Sequence, residues 1–368
     1  MGKNTDREKI LVVNPGGTST KIAVYRGEKS ELSENVRHGA AELAKFARIY
    51  DQLDWRLEAT RAILARAEIS LRDLDAVVGR GAALAPVPSG VFAVDAAMLD
   101  AIRSGRVIVH HASELGAPMA HALAADSRCP AYVVDPVSVD EMLPEAKLTG
   151  LPQVPRRSLG HALSVKAASR HAAAQLKRPL SELDLIVAHL GSGITLAAQR
   201  RGREVDHNDP TATGPMAPTR AGGIPSLDLA RLCFSGAKSF EEVERLLVSN
   251  GGWKAHLGTD DIREIYPRID AGDAKARLVI DATLLQIAKE MGGLLAVLRG
   301  HVDAIVLTGG VARSERFVKE LEERVAWIGA PFIVIPGEDE MLALAGGALR
   351  ALRGEAEVMS VGPYLKLT

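Results

Sequence analysis

Residues 9–29, KILVVNPGGTSTKIAVYRGEK, can be laid on residues 184–204, DLIVAHLGSGITLAAQRRGRE, with a constant offset of 175 and no gap. Gly16 falls on Gly191, Thr20 on Thr195, Gly27 on Gly202 and Asn14 on His189. Each copy reads as a strand, a polar residue, a glycine-bearing turn, a second strand and a charged turn. Such a repeat predicts one α/β unit used twice, each opening on a hairpin whose tight turn exposes backbone N–H groups. Two such turns facing each other would make a phosphate site. A chance likeness between two glycine-bearing hairpins is the alternative.

The rest of the pattern agrees with an α/β fold. Short apolar runs at 10–13, 21–25, 75–78, 131–134, 185–188, 194–198, 304–307 and 332–335 read as buried strands. Helical spacing covers 41–68, 98–104, 157–175, 226–233, 240–248, 274–299 and 316–327. A length of 368 residues is enough for about two domains. Only 14 residues are aromatic (3 Trp, 5 Tyr and 6 Phe), which suits sheets filled by Val, Ile, Leu and Ala.

Charge excludes little but points away from some partners. Lys and Arg number 45 against 46 Asp and Glu, with no basic stripe, which argues against nucleic acid. The two cysteines, Cys129 and Cys233, sit in no CxxC, and so sparse a use suits a reducing compartment. MGKNTDREK leads straight into an apolar strand without a signal-peptide core. The longest uncharged run, 185–199, is too short to span a bilayer, so a cytoplasmic protein without a membrane partner is expected.

Several turns could carry chemistry. In Asn14-Pro-Gly-Gly-Thr-Ser-Thr-Lys21, Gly16 and Gly17 permit φ > 0 and close approach of a ligand, while Thr18, Ser19 and Lys21 offer hydroxyls and a cation. It is not a Walker A sequence, and an ordinary hairpin turn explains it equally well. The second turn, His189-Leu-Gly-Ser-Gly-Ile-Thr195, repeats the logic with Gly191 and Gly193. Gly309 and Gly310 follow a third strand, where a nucleotide could pack against backbone. Arg80, in VGRG, and Arg220, in the otherwise uncharged APTRAGGIP, are each either waiting for an anion or salt-bridged internally. Asp135 ends a strand, placed for magnesium or substrate chemistry or simply capping a turn.

Taken in order, NPGGTSTK, VGRG, VDPVSVDEMLP, RRSLGHALSVKAA, HLGSGIT, PTRAGGIP, VLTGG and PGEDEMLALAGGALR resemble the butyrate kinase group of the acetokinase family, within the sugar kinase, Hsp70 and actin superfamily. The likeness covers nearly the whole chain, about residues 10–353. It implies a duplicated ribonuclease-H-like α/β fold with a nucleotide cleft between the halves. The halves would be 1–155, joined by about 339–368, and 156–338. The implied activity is reversible transfer of the γ-phosphoryl of ATP to a short-chain carboxylate, most simply butyrate, with acetate, propionate or a branched acid as alternatives. A homodimer or larger assembly is also implied.

The resemblance further assigns residues. Arg80, Asp135, His189 and Arg220 match the catalytic set. Asn14, Gly16, Gly17, Thr18, Ser19, Lys21, Gly191, Gly193, Gly309 and Gly310 match the nucleotide and phosphate sites, and Asn14 with Asp135 would hold Mg²⁺ through water. Departures from the acetate kinase branch favour the butyrate branch. Arg156 and Arg157 stand where that branch has a phenylalanine–histidine pair, and His161 matches its nearby histidine. Gly223 stands where an aspartate follows the second arginine. The family's glutamate would fall near Arg313, leaving a magnesium ligand missing. Ala82 and Ala83 beside Arg80 could leave room for a longer acyl tail.

Overall fold

Every residue from Ile10 to Val13 is fully buried, and so is every one from Leu185 to Ala188. Strands covered on both faces belong in the middle of a sheet sandwiched by helices, and both copies of the repeat lie there. The computed structural model describes residues 7–337 and 339–366. These fall into two units, one running up to Asp140 and resuming at Asp339, the other beginning at Glu141.

In chain order the strands are β1 (Lys9–Pro15), β2 (Ser19–Arg26), β3 (Lys29–Arg37), β4 (Ala76–Gly79), β5 (Val91–Ala93), β6 (Ala131–Val134), β7 (Asp184–Leu190), β8 (Ile194–Arg200), β9 (Arg203–His207), β10 (Ala304–Gly309), β11 (Phe332–Pro336) and β12 (Val358–Met359). The first unit orders its sheet β12-β5-β6-β4-β1-β2-β3, the second β11-β10-β7-β8-β9. Within these, β6-β4-β1-β2-β3 and β11-β10-β7-β8-β9 have the same directions: parallel through the first three, antiparallel through the hairpins. The duplication is structural, and the α/β class is as expected.

The gapless offset is not. Pro15 pairs with Thr20, whereas Leu190 pairs with Ile194, so loop 191–193 is one residue shorter than loop 16–19. Beyond the turns the equivalence runs at 174. Lys21, opposite Asn14, corresponds to Thr195, opposite His189. The bulge between Val24 and Tyr25 corresponds to that between Ala198 and Gln199. Thr20 with Thr195 and Gly27 with Gly202 match in sequence but not in register.

In the first unit, helices Leu53–Arg66 and Gly116–Ser127 pack Leu57, Leu64, Met119 and Leu123 onto Leu11, Val13, Ile22 and Val77. Helix Glu340–Leu352 also packs on β1, β4 and β6, with Gly347 against Val134. In the second, helix Ala274–Val297 covers Ile186, Ala188, Leu196 and Leu307, while helix Ala162–Leu176 covers Leu185, Val187 and Val306. Residues 141–155 go with the second unit, so its edge lies earlier than the 155/156 position read from the sequence. The reason is local: Glu141 pairs with buried Lys166 at 2.5 Å, and the Leu143 N–H donates to the Val205 carbonyl at 2.9 Å.

The single helix expected over 41–68 is broken. Ala40–Leu43 stops, and Leu53–Arg66 follows a 3₁₀ turn at Ile49–Gln52. Asp51 accepts the Arg48 N–H at 3.1 Å and grips its guanidinium at 2.8 Å, a cap that starts a new helix there. Among the described residues no helix is long and apolar enough to cross a membrane.

Candidate active site

The first unit gathers its polar residues at the carboxyl ends of three adjacent parallel strands, the edge where α/β sheets bind ligands. Asn14 stands near the end of β1, Arg80 directly after β4 and Asp135 directly after β6. The register joins them: Val13 lies beside Gly79, and Gly79 beside Val133. Gly79 and Gly81 flank Arg80 because backbone and core close in on both sides. A Cβ on Gly79 would lie 2.1 Å from the Gly116 carbonyl oxygen, and one on Gly81 would lie 2.6 Å from Val133. The start of helix Gly116–Ser127 is thereby brought against the Arg80 backbone.

A fourth residue joins this set that sequence reading missed. Glu340, in the first turn of helix Glu340–Leu352, accepts the Asn14 amide N–H at 2.8 Å. Its other carboxylate oxygen lies 3.6 Å from Arg80 Nη1, an atom that makes no hydrogen bond of its own. Position 313 is an arginine and supplies no carboxylate, but Glu340 sets one against Asn14 and Arg80. The signal was available: an acidic pair after a strand, at the start of an apolar helical run. Asp339 caps that helix by accepting the Leu342 N–H at 2.8 Å.

Asp135 is fully buried with φ +38°. Its carboxylate accepts the Gly90 N–H at 2.8 Å, and its own N–H donates to the Gly90 carbonyl at 2.9 Å. Left-handed backbone at a non-glycine residue costs about 1–2 kcal/mol, and this reciprocal pair holds it in place. The first turn lies beside Asn14. Lys21 is its cross-strand partner and exposed, Gly17 and Thr18 are exposed, and Ser19 is half-buried.

The second unit repeats the plan. His189, near the end of β7, is buried, and its ring stacks on His161 with centroids 4.2 Å apart and planes 26° from parallel. His161 is itself held by Thr195 Oγ1 at 2.8 Å, directly across from His189. Arg220 lies against the turn between β7 and β8. A Cβ on Gly193 would lie 2.6–2.7 Å from Arg220 Nη1, Cδ and Cζ, so only glycine leaves room for the guanidinium. No carboxylate among the described residues pairs with Arg220. Burial pulls its pKa below the ordinary arginine value, and Asp209 only partly opposes this.

The loop carrying Arg220 is clamped from two sides. Thr219 donates its N–H and hydroxyl to the Ser192 carbonyl, both at 3.1 Å. The N–H groups of Gly251 and Trp253 donate to the carbonyls of Thr219 and Ala217. Trp253 is fully buried and anchors its indole N–H on Thr283 at 2.9 Å. Sequence reading did not foresee this clamp, because nothing local links 251–253 to 217–220.

The expected glycine behaviour needs correcting. Gly16, Gly17, Gly191 and Gly193 do not adopt left-handed φ. Gly17 instead offers open space, since a Cβ there would meet nothing within 4 Å. Gly309, by contrast, is left-handed at φ +97°, with the Leu190 carbonyl oxygen 2.4 Å from where a Cβ would sit. It exchanges backbone hydrogen bonds with Gly337, and Gly310 beside it is open. Arg156, in place of the phenylalanine–histidine pair, is structural: it binds Asp206 at 2.8 Å and the His207 carbonyl at 2.6 Å.

This duplicated fold is that of known phosphotransferases. An acetate kinase from Porphyromonas gingivalis matches with a TM-score of 0.75 at 18% identity, over 93% of this chain and 99% of that one. A propionate kinase from Francisella tularensis subsp. tularensis matches with a TM-score of 0.70 at 19% identity, over 92% of this chain and 98% of that one. The acetokinase family model matches residues 142–330. "Probable butyrate kinase 2" of Caldanaerobacter subterraneus subsp. tengcongensis is 44% identical over 347 residues, 94% of this chain and 98% of that protein. The chain belongs to the acetokinase family.

Proposed function

We propose that the chain is an ATP-dependent kinase of short-chain carboxylates that makes the acyl phosphate and ADP, reversibly, with butyrate the leading substrate. Family membership and the long match to a butyrate kinase support this reading. The observation that carries it is Arg220, a largely desolvated cation laid against a glycine turn with no carboxylate partner among the described residues. A half-buried guanidinium in that state calls for an anion from outside the chain.

The chemistry asks for little else. A carboxylate is ionised at neutral pH, since carboxyl pKa values lie near about 4, so no general base is required. One carboxylate oxygen forms a bond to the γ-phosphorus, the bond to the bridging oxygen breaks, and its electron pair leaves with ADP. The barrier is alignment and charge. In this reading Arg80 orients the carboxylate, while Arg220 and His189 donate to the equatorial phosphoryl oxygens. Loop 16–19 with Lys21, and the turn Gly191 and Gly193, cradle phosphates; Gly309 and Gly310 take the adenosine side.

Glu340, at the start of its helix, and Asp135 and Asn14, at strand ends, offer hard oxygen donors, a set that fits Mg²⁺. That ion keeps its waters and takes one or two carboxylates besides phosphate. When bound, it would neutralise charge on the nucleotide phosphates. Family resemblance also supports a cytoplasmic enzyme that self-associates as a dimer or larger.

Incubating the protein with MgATP and each C2–C5 carboxylate, then trapping acyl phosphate as hydroxamate, tests the activity. Product should be greatest with butyrate or a branched C4–C5 acid. No product from any acid rejects the reading, and a maximum at acetate rejects the butyrate preference while keeping the class.

Gly193→Ala should push the Arg220 guanidinium out of place and lower kcat roughly tenfold to a hundredfold, the scale of a misplacement of about 1 Å. Thermal melting should hardly move, because Gly193 needs no left-handed φ. Unchanged kcat would remove Arg220 from the reacting centre.

A further inference from the structure

Behind the first turn lies a cation that the proposed chemistry does not use. Arg56, on helix Leu53–Arg66, is fully buried. Its partners are all neutral: Gln52 Oε1 accepts from Nε at 3.0 Å and from Nη2 at 2.8 Å. Nη1 donates to the Gly16 carbonyl at 3.0 Å, the Ser19 carbonyl at 3.1 Å and Thr20 Oγ1 at 2.8 Å. No carboxylate among the described residues pairs with it. Burying an arginine without a counter-charge is costly, so a chain that does so beside a ligand turn has a use for the charge.

The hydrogen bonds show what that use is. The Thr18 carbonyl accepts the His38 N–H at 2.9 Å, and the Ser19 carbonyl also accepts the Gly16 N–H at 2.7 Å. The turn's carbonyls at Gly16, Thr18 and Ser19 are thus all drawn to the protein side. The N–H groups of Gly17 and Thr18 make no hydrogen bond among the described residues, and both residues are exposed. Successive outward N–H groups over a fixed positive charge form an anion-binding concavity. His38, held to Thr20 Oγ1 at 2.8 Å, adds no competing charge: burial first, and Arg56 second, keep its pKa below the ordinary histidine value.

We infer that Arg56 is a positioning residue for the nucleotide's phosphates, fixing the carbonyls of loop 16–19 inward and supplying, from behind, the charge that a bound phosphate compensates. The inference rests on the reading of loop 16–19 as a phosphate cradle. Desolvation pushes the Arg56 pKa down to about 10, so it remains a cation at neutral pH.

The test compares MgATP with adenosine, which lacks phosphates, by calorimetric titration of the full-length protein. Arg56→Met should weaken MgATP at least tenfold while changing adenosine less than twofold. Arg56→Lys, which keeps the charge but cannot reach both carbonyls and Thr20 in the same fork geometry, should show a smaller loss in the same direction. If the methionine variant does not fold, the lysine variant decides. Equal loss for both ligands, or lower thermal stability with unchanged MgATP affinity, would make Arg56 merely structural and overturn the inference. A wild-type protein that binds no MgATP would overturn the underlying phosphotransfer reading, a separate result read before any variant.

Discussion

Arg220→Ala is expected to lower kcat by about 10²–10³, the usual loss when one donor to a developing charge is removed. The fold should survive, because the Arg220 side chain sits on Gly193 without an ion pair among the described residues and the loop is held by its backbone: Ala217, Thr219 and Ala221 are all tied by main-chain hydrogen bonds. Melting temperature should stay level or rise slightly, since a desolvated, unpaired cation has been deleted. Arg220→Lys should recover only part of the rate. An ammonium restores the charge but not the planar fork that can hold two oxygens of one phosphoryl group. Steady-state kinetics with MgATP and butyrate check this. A kcat within a fewfold of the parent would leave the reading without its main support.

How much of this was legible in the sequence depends on where each signal resides. The buried strands announced themselves because both faces are covered, so β1, β7 and β10 are apolar almost without a break. β3 gave no such signal. Its residues KSELSENVR are largely exposed on an edge of the sheet, and pairing with β2 rather than any pattern of its own makes it a strand. Helix Gly116–Ser127 was missed for another reason: its exposed face is only His121, Ala125 and Asp126, so among so many alanines the polar stripe is faint. The turns of the repeat were found from glycines, but their register was not, because one deleted residue leaves the motif intact while shifting every later pair.

The site divides in the same way. Arg80, Asp135, His189 and Arg220 stand at strand ends or in loops of unusual composition, and local sequence marks such places. Glu340, Arg56 and the Gly251–Trp253 clamp act across chain separations that no local pattern encodes. Asn14 and Glu340 are 326 positions apart, yet share a hydrogen bond. The chain's late return to its first unit creates that contact, and only the fold shows it.

Glu340→Gln tests what that return is for. Glutamine keeps the shape and can still accept the Asn14 N–H, so Asn14 should hold its place; only the negative charge is lost. Two roles then predict different kinetics. If Glu340 serves only to hold Arg80, 3.6 Å away, removing its charge frees that arginine for the substrate. The carboxylate KM would change while kcat stayed within a fewfold. If Glu340 organises the magnesium-bearing phosphates, as its place among Asn14, Arg80 and Asp135 supports, kcat should fall by roughly 10²–10³. The Mg²⁺ concentration giving half-maximal rate should then rise, with the carboxylate KM level or lower. We expect the second pattern. Arg80 is needed for an incoming carboxylate, and a resident one that served no other purpose would compete with the substrate for the same guanidinium.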